Sequence, residues 1–214
     1  MKPRVYLETT FLFTSDDVLD KDYATCQEII RFGEKGDATL VIPRISFLEV
    51  DHVFDEKVES RTGRFASIRK QLHYGKANGL PYPAGFNLDQ LKTVSDNALT
   101  ILRKRPNGPR IEAVCERIPL LDSYSPELAV VSVLTRRERT SRADRTILAQ
   151  VLAHYSKNAV QGPSLFCTRD NDLTREAQRC LAITSPRLEV TADFREAVRW
   201  LREKTIRPSS GGRT

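Results

Sequence analysis

Nowhere does this chain carry the roughly 20 consecutive apolar residues that a membrane-spanning helix requires. Its opening, MKPRVYLETT, passes from charge directly into a short strand-like segment and lacks the apolar core of a secretory leader. The expectation is a cytoplasmic protein with no membrane partner. Cysteine is scarce: Cys26, Cys115, Cys167 and Cys180 show none of the short spacings of a zinc knuckle or a redox CxxC pair. In a reducing compartment they are expected as free thiols, with Cys167, in SLFC, a small apolar side chain of a buried strand. There is no internal repeat and no phosphate-cradling loop. The one glycine-rich piece, RPSSGGRT at 207–214, leads into no helix and reads as a flexible basic tail. Apolar residues are not lacking: at 40% hydrophobic, wholesale disorder is excluded, and 214 residues suit a single domain over 1–206 with room for an insertion.

Charge is the first positive signal. The net charge of +6 comes from 34 basic and 28 acidic residues, a mild bias toward a polyanionic partner. The cations cluster. One group runs over 61–76 (Arg61, Arg64, Arg69, Lys70, Lys76), a second joins Arg103, Lys104 and Arg105 to Arg110, and a third holds Arg136, Arg137, Arg139, Arg142 and Arg145. Each could bind phosphates or simply be a solvated helix face.

Five short β-rich runs mark candidate strands: Arg4–Leu7, Leu40–Ile42, Ile118–Leu121, Ser164–Thr168 and Leu188–Thr191. Helical patterns fill the gaps at Tyr23–Phe32, Ile45–Val58, Glu127–Arg139, Arg142–Tyr155, Leu173–Cys180 and Phe194–Lys204. Strands alternating with helices imply an α/β chain with a parallel sheet, and right-handed crossovers place helices on both faces. Between Val58 and Glu116 the rhythm fails. Two helical patterns, Ser60–His73 and Leu88–Lys104, flank a loop rich in Gly, Pro and aromatics, so 58–116 reads as a helical insertion on the core. There Tyr74, Tyr82 and Phe86 interleave with basic residues. Such rings either stack on bases, worth about 1–3 kcal/mol each, or pin the loop to the core.

Open parallel sheets bind ligands beyond the carboxyl ends of their strands, and acids stand there repeatedly. Glu8 follows the first strand, Glu49 lies one turn into the helix after the second, and Asp144 opens the helix that feeds the fourth. Asp170 and Asp172 directly follow that fourth strand. Bare carboxylates about 4 Å apart repel by roughly 4 kcal/mol per pair at an effective dielectric of 20, so a cation is expected among them. Oxygen-only donors suit Mg²⁺ or Mn²⁺, and no histidine lies in these motifs to favour zinc. Such an ion suits phosphodiester hydrolysis. Blander roles compete: capping boxes at Ser46-x-x-Glu49 and Ser141-x-x-Asp144, helix N-caps at Asp170 or Asp172, and a surface ion pair at Glu8.

The segments VYLETT, IPRISFLEV, ADRTILAQV and FCTRDNDL, in this order, resemble the PIN-domain family of nucleases, which includes VapC-like toxins. The resemblance covers Met1–His52 and about Ile118–Ala192. It implies a three-layer α/β/α sandwich on a five-stranded, Rossmann-like parallel sheet. It also implies Mg²⁺- or Mn²⁺-dependent endoribonuclease activity, with RNA as substrate, an antitoxin protein as a possible partner if the chain is the toxin of a pair, and a homodimer. By the same resemblance Glu8, Glu49, Asp144 and Asp170 match the catalytic metal site, Asp172 an accessory metal ligand, and Thr9 and Thr168 hydroxyls beside it. Arg145 and Arg169, each adjoining one of these acids, are the candidate phosphate-binding cations. Two features depart from the family pattern: Glu8 where Asp is commoner, and the long helical insertion. Two other classes compete. One is a HAD-like phosphohydrolase, which would need an Asp nucleophile at position 8. The other is a non-catalytic RNA- or partner-binding module on a degenerate PIN fold.

Overall fold

The computed structural model describes residues 1–80, 87–121, 125–135, 141–158, 162–185 and 187–205. Its strands are β1 (Arg4–Tyr6), β2 (Thr39–Pro43), β3 (Cys115–Ile118), β4 (Ser164–Cys167) and β5 (Leu188–Thr191). All pair in parallel, in the order β3-β2-β1-β4-β5, with Tyr6 opposite both Val41 and Phe166. The three central strands are apolar on both faces, as strands covered by helices on each side must be. The edge strands β3 (CERI) and β5 (LEVT) alternate buried ends with exposed or half-exposed centres, which discourages pairing with another chain.

Strand alternation divides the interior in two. Val5, Leu7, Leu40, Ile42, Leu165 and Cys167 point to one face and pack on α1 (Thr9–Asp16), α2 (Tyr23–Glu34), α5 (Gly108–Val114) and α9 (Phe194–Thr205). Tyr6, Val41 and Phe166 point to the other, against α6 (Pro126–Leu134), α7 (Arg142–Asn158) and α8 (Asn171–Thr184). This is the expected α/β arrangement with a helical layer on each face of the sheet. All four cysteines are buried free thiols. Among the described residues no helix is long and apolar enough to cross a membrane.

Several elements differ from the sequence reading, which had no helix at α5. The helices expected at Ile45–Val58 and Ser60–His73 are one continuous helix, α3 (Arg44–Ala77), roughly 50 Å long at 1.5 Å per residue. Nothing between them breaks a helix; Gly63, costing about 1 kcal/mol against Ala, is too weak to stop it. α4 (Leu88–Lys104) folds back along α3, and Phe54, Val58 and Leu102 close over Phe13 of α1. The third strand occupies Cys115–Ile118 rather than Ile118–Leu121, because Pro119 has no N–H to offer the ladder beyond Ile118. The sequence reading also missed α1. Nearly every residue of TTFLFTSD is buried, so it carries no amphipathic period.

Gly162 leads into β4 with φ +133°, and a Cβ there would lie 2.8 Å from the Lys2 carbonyl oxygen. Gly162→Ala is expected to destabilise the fold by more than about 1 kcal/mol. Urea denaturation checks this; an unchanged midpoint would contradict the strained placement.

Candidate active site

The strand order reverses direction between β1 and β4, since the chain winds from β1 through β2 to β3 and only then crosses to β4. The crevice at such a switch point is where open sheets bind ligands. Glu8 and Asp170 flank it, each within three residues of the end of its strand.

Glu8 is 2% exposed. It acts as N-cap of α1, with its carboxylate accepting the Thr10 N–H at 2.7 Å and the Thr10 hydroxyl. Glu is an uncommon cap, but one turn of backbone fixes it rigidly at the crevice. The Thr168 hydroxyl also donates to it, while Glu49 adds a neighbouring negative charge. Burial dominates the balance and lifts the Glu8 pKa from 4.5 to about 7. Among the described residues Glu8 has no ion pair, so the surface ion-pair reading is incorrect: the side chain is buried beside another acid, not paired with a cation.

Glu49 extends from the first turns of α3 and accepts the Thr9 hydroxyl at 2.5 Å. The Ser46–Glu49 capping box does not form. Ser46 is the third residue of α3, one turn too far into the helix to cap it, and its buried hydroxyl has no hydrogen-bond partner. Thr9 and Thr168, both predicted, therefore each hold one of the acids. Thr168 does more, because its hydroxyl also accepts the Asp170 N–H at 3.0 Å, tying the end of β4 to Glu8. Thr10, which the sequence reading passed over, binds Glu8 twice and accepts the Arg169 N–H at 3.4 Å. Its only sequence signal was the doubled Thr after the acid.

The remaining acids stand apart from this pair. Asp170 is exposed and caps α8 through Asp172 N–H at 2.8 Å and Leu173 N–H at 2.9 Å. Asp144 completes the predicted capping box with Ser141, at 3.0 and 3.2 Å. It opens α7, which runs back toward β4 and so starts at the same sheet edge as Glu8. None of its hydrogen bonds among the described residues reaches Glu8, Glu49 or Asp170. Asp172 is 85% exposed and faces Arg175. Among the described residues no three His, Cys, Asp or Glu side chains converge closely enough to hold a metal ion. What is assembled is the Glu8–Glu49 pair, with Asp170 joined to it through Thr168.

The two predicted arginines diverge. Arg169 is pinned by Asp20 at 2.8 Å, Thr14 at 3.3 Å and Asp22 at 3.5 Å. Arg145 lines a separate opening with Ile45, Leu121, Leu128 and Arg142. A cavity of about 330 Å³ is bounded by Thr10, which binds Glu8, and by Lys57, Arg61, Arg64, Arg169 and Asp170. No protein-family model, curated protein or solved structure matches this chain.

The donor set fits a hard divalent cation. Glu8 and Glu49 offer oxygens only, lie side by side, and among the described residues have no basic side chain against them. An ion bound there would relieve both their repulsion and the desolvation of Glu8. Elsewhere the predicted basic clusters are partly engaged in structure. Arg105 pairs with Asp51 and Asp16, and Arg110 with Glu34. Arg136, Arg137 and Arg139 lie outside the described residues, as do Tyr82, Phe86 and the 207–214 tail. Tyr74 is 73% exposed, so this ring does not pin its loop to the core.

Proposed function

We propose that this chain is a Mg²⁺- or Mn²⁺-dependent ribonuclease of the PIN type. The observation that carries the reading is a buried carboxylate, Glu8, set beside a second, Glu49, at the switch point of an all-parallel sheet, with no cation opposing them among the described residues. A divalent ion held there supplies charge neutralisation for a phosphodiester under attack by water. The protein's own groups have distinct parts. Thr10 and Thr168 aim the Glu8 oxygens, Thr9 aims Glu49, and Arg169, immobilised by Asp20 and Asp22, offers fixed positive charge near the reacting phosphate. Asp170 and Asp144, at the rim of the same sheet edge but not gathered with this pair, are the further acids of the proposal. Asp172, pointing outward, is left as the accessory acid of the proposal.

A second reading, a non-catalytic RNA- or partner-binding module, draws on the failure of three acids to converge among the described residues. One experiment separates the two. Magnesium- or manganese-dependent cleavage of single-stranded RNA is expected, lost in EDTA and lost in Asp170→Asn while the fold, followed by circular dichroism, is retained. Full cleavage in EDTA would exclude the metal-dependent mechanism. RNA binding without cleavage, and without Mn²⁺ binding by calorimetry, would establish the module instead.

A further inference from the structure

From the cavity beside Glu8 we infer that the extended helix α3, and not the other basic clusters, forms the seat for the sugar–phosphate backbone of a single-stranded RNA. The inference rests on the ribonuclease reading for its substrate, but its test requires no cleavage. Val53, Lys57, Ser60, Arg61 and Arg64 follow one another at helical spacing, so one face of α3 forms a wall of this cavity. Thr10, which binds the Glu8 carboxylate, and Asp170 also line it, so the cavity abuts the groups that hold Glu8. Four cations line it against two carboxylates, Asp20 and Asp170.

The cations divide into two kinds. Arg61 is bound to the buried Asp17 and Arg169 to Asp20 and Asp22, so both are fixed in place and largely compensated. Lys57 and Arg64 are exposed, and among the described residues neither has an ion-pair partner. They stand two turns apart, roughly 10 Å along the helix axis. Free cations repeated along one wall, with fixed arginines between and below them, suit the repeated charge of a nucleic-acid backbone better than a single anion. The backbone would then pass along α3 and reach the acids at Thr10.

The test measures binding of a fluorescein-labelled single-stranded oligoribonucleotide to the whole chain by anisotropy, in EDTA, between about 50 and about 200 mM KCl. For single strands each lost phosphate contact lowers the slope of log affinity against log salt by about 0.7. Lys57→Gln with Arg64→Gln is therefore expected to flatten the slope by about 1.4 and to weaken binding at least tenfold at the lower salt. The control Arg199→Gln, on the far helix α9, should bind as the parent does. Unchanged affinity and slope in the double variant would overturn the inference, as would a parent that binds no RNA at the lower salt or binds an RNA duplex equally well. If the double variant loses binding but the parent never cleaves with Mn²⁺, the seat stands and the nuclease reading fails.

Discussion

Glu8→Gln is expected to remove divalent-metal binding and to lower metal-dependent RNA cleavage by roughly 10²-fold or more, the scale on which misplacing a reacting group acts. The same substitution should make the metal-free protein more stable above pH 7. Burial raises the folded pKa of Glu8 from 4.5 to about 7, so between those values the folded protein retains a proton that the unfolded chain has released. Stability must therefore fall as pH rises from about 4.5 to about 7 and level off beyond. Each pKa unit is worth about 1.4 kcal/mol, which makes the loss roughly 3 kcal/mol. Glutamine carries no charge to desolvate and should abolish this decline. A bound ion competes with the same proton, so Mn²⁺ affinity should drop toward tenfold per pH unit below about pH 7. Thermal unfolding of parent and variant across this range, with and without Mn²⁺, reads all three effects. Equal stabilisation of both proteins by Mn²⁺ would show that the ion binds elsewhere, and a flat parent profile would refute the buried charge.

Phe54→Ala is expected to cost about 3–5 kcal/mol, as buried Phe truncations do. Phe54 is 5% exposed and meets Phe13 edge-on at 5.8 Å between ring centroids. The Arg105 guanidinium lies 5.3 Å from its ring centre. With Val58 and Leu102, this small core joins the α3–α4 hairpin to α1. A second attachment lies nearby: the Asp16 carboxylate accepts the Asn107 N–H at 2.7 Å, and the Asn107 side chain donates to the Ser15 carbonyl at 2.6 Å. Because Asp16 is buried, that latch survives only while Asn107 and Arg105 remain in place. Loss of Phe54 should thus loosen α3 beyond Val50, α4 and the junction to α5 before the sheet opens. Hydrogen exchange is expected to rise over 54–77 and 88–105 while β1, β2 and β4 stay protected. Uniform loss of protection would show that hairpin and sheet unfold as one unit. RNA binding along α3 should weaken in parallel, since Phe13 and α3 share the cavity wall.

These two substitutions mark where sequence reading succeeded and where it stopped. The central strands were legible because VY, LVIP and LFC place consecutive apolar residues on both faces, a pattern that needs helices on both sides. α4 and β5 were legible to the residue, one from its amphipathic stripe and the other from its flanking turns. Buried α1 had no stripe to read, and the single span of α3 could not be told from two helices, because neither Ser60 nor Gly63 forces a break. At the site, the blander roles of Asp144 and Asp170 as helix caps are present, and a cap remains compatible with a metal-facing oxygen. The capping role assigned to Ser46 failed because the helix begins three residues earlier than its box requires.

By itself the sequence determined the class of architecture and the positions of acids at strand ends, because strand burial and helix periodicity are properties of short segments. Only the tertiary structure decided the rest. It set the strand order that makes β1 and β4 neighbours, it buried Glu8 against Glu49 while leaving Asp172 in solvent, and it aligned Lys57 and Arg64 with the crevice. Each of these depends on which distant segments share a dielectric environment, and proximity of that kind is encoded in no local pattern.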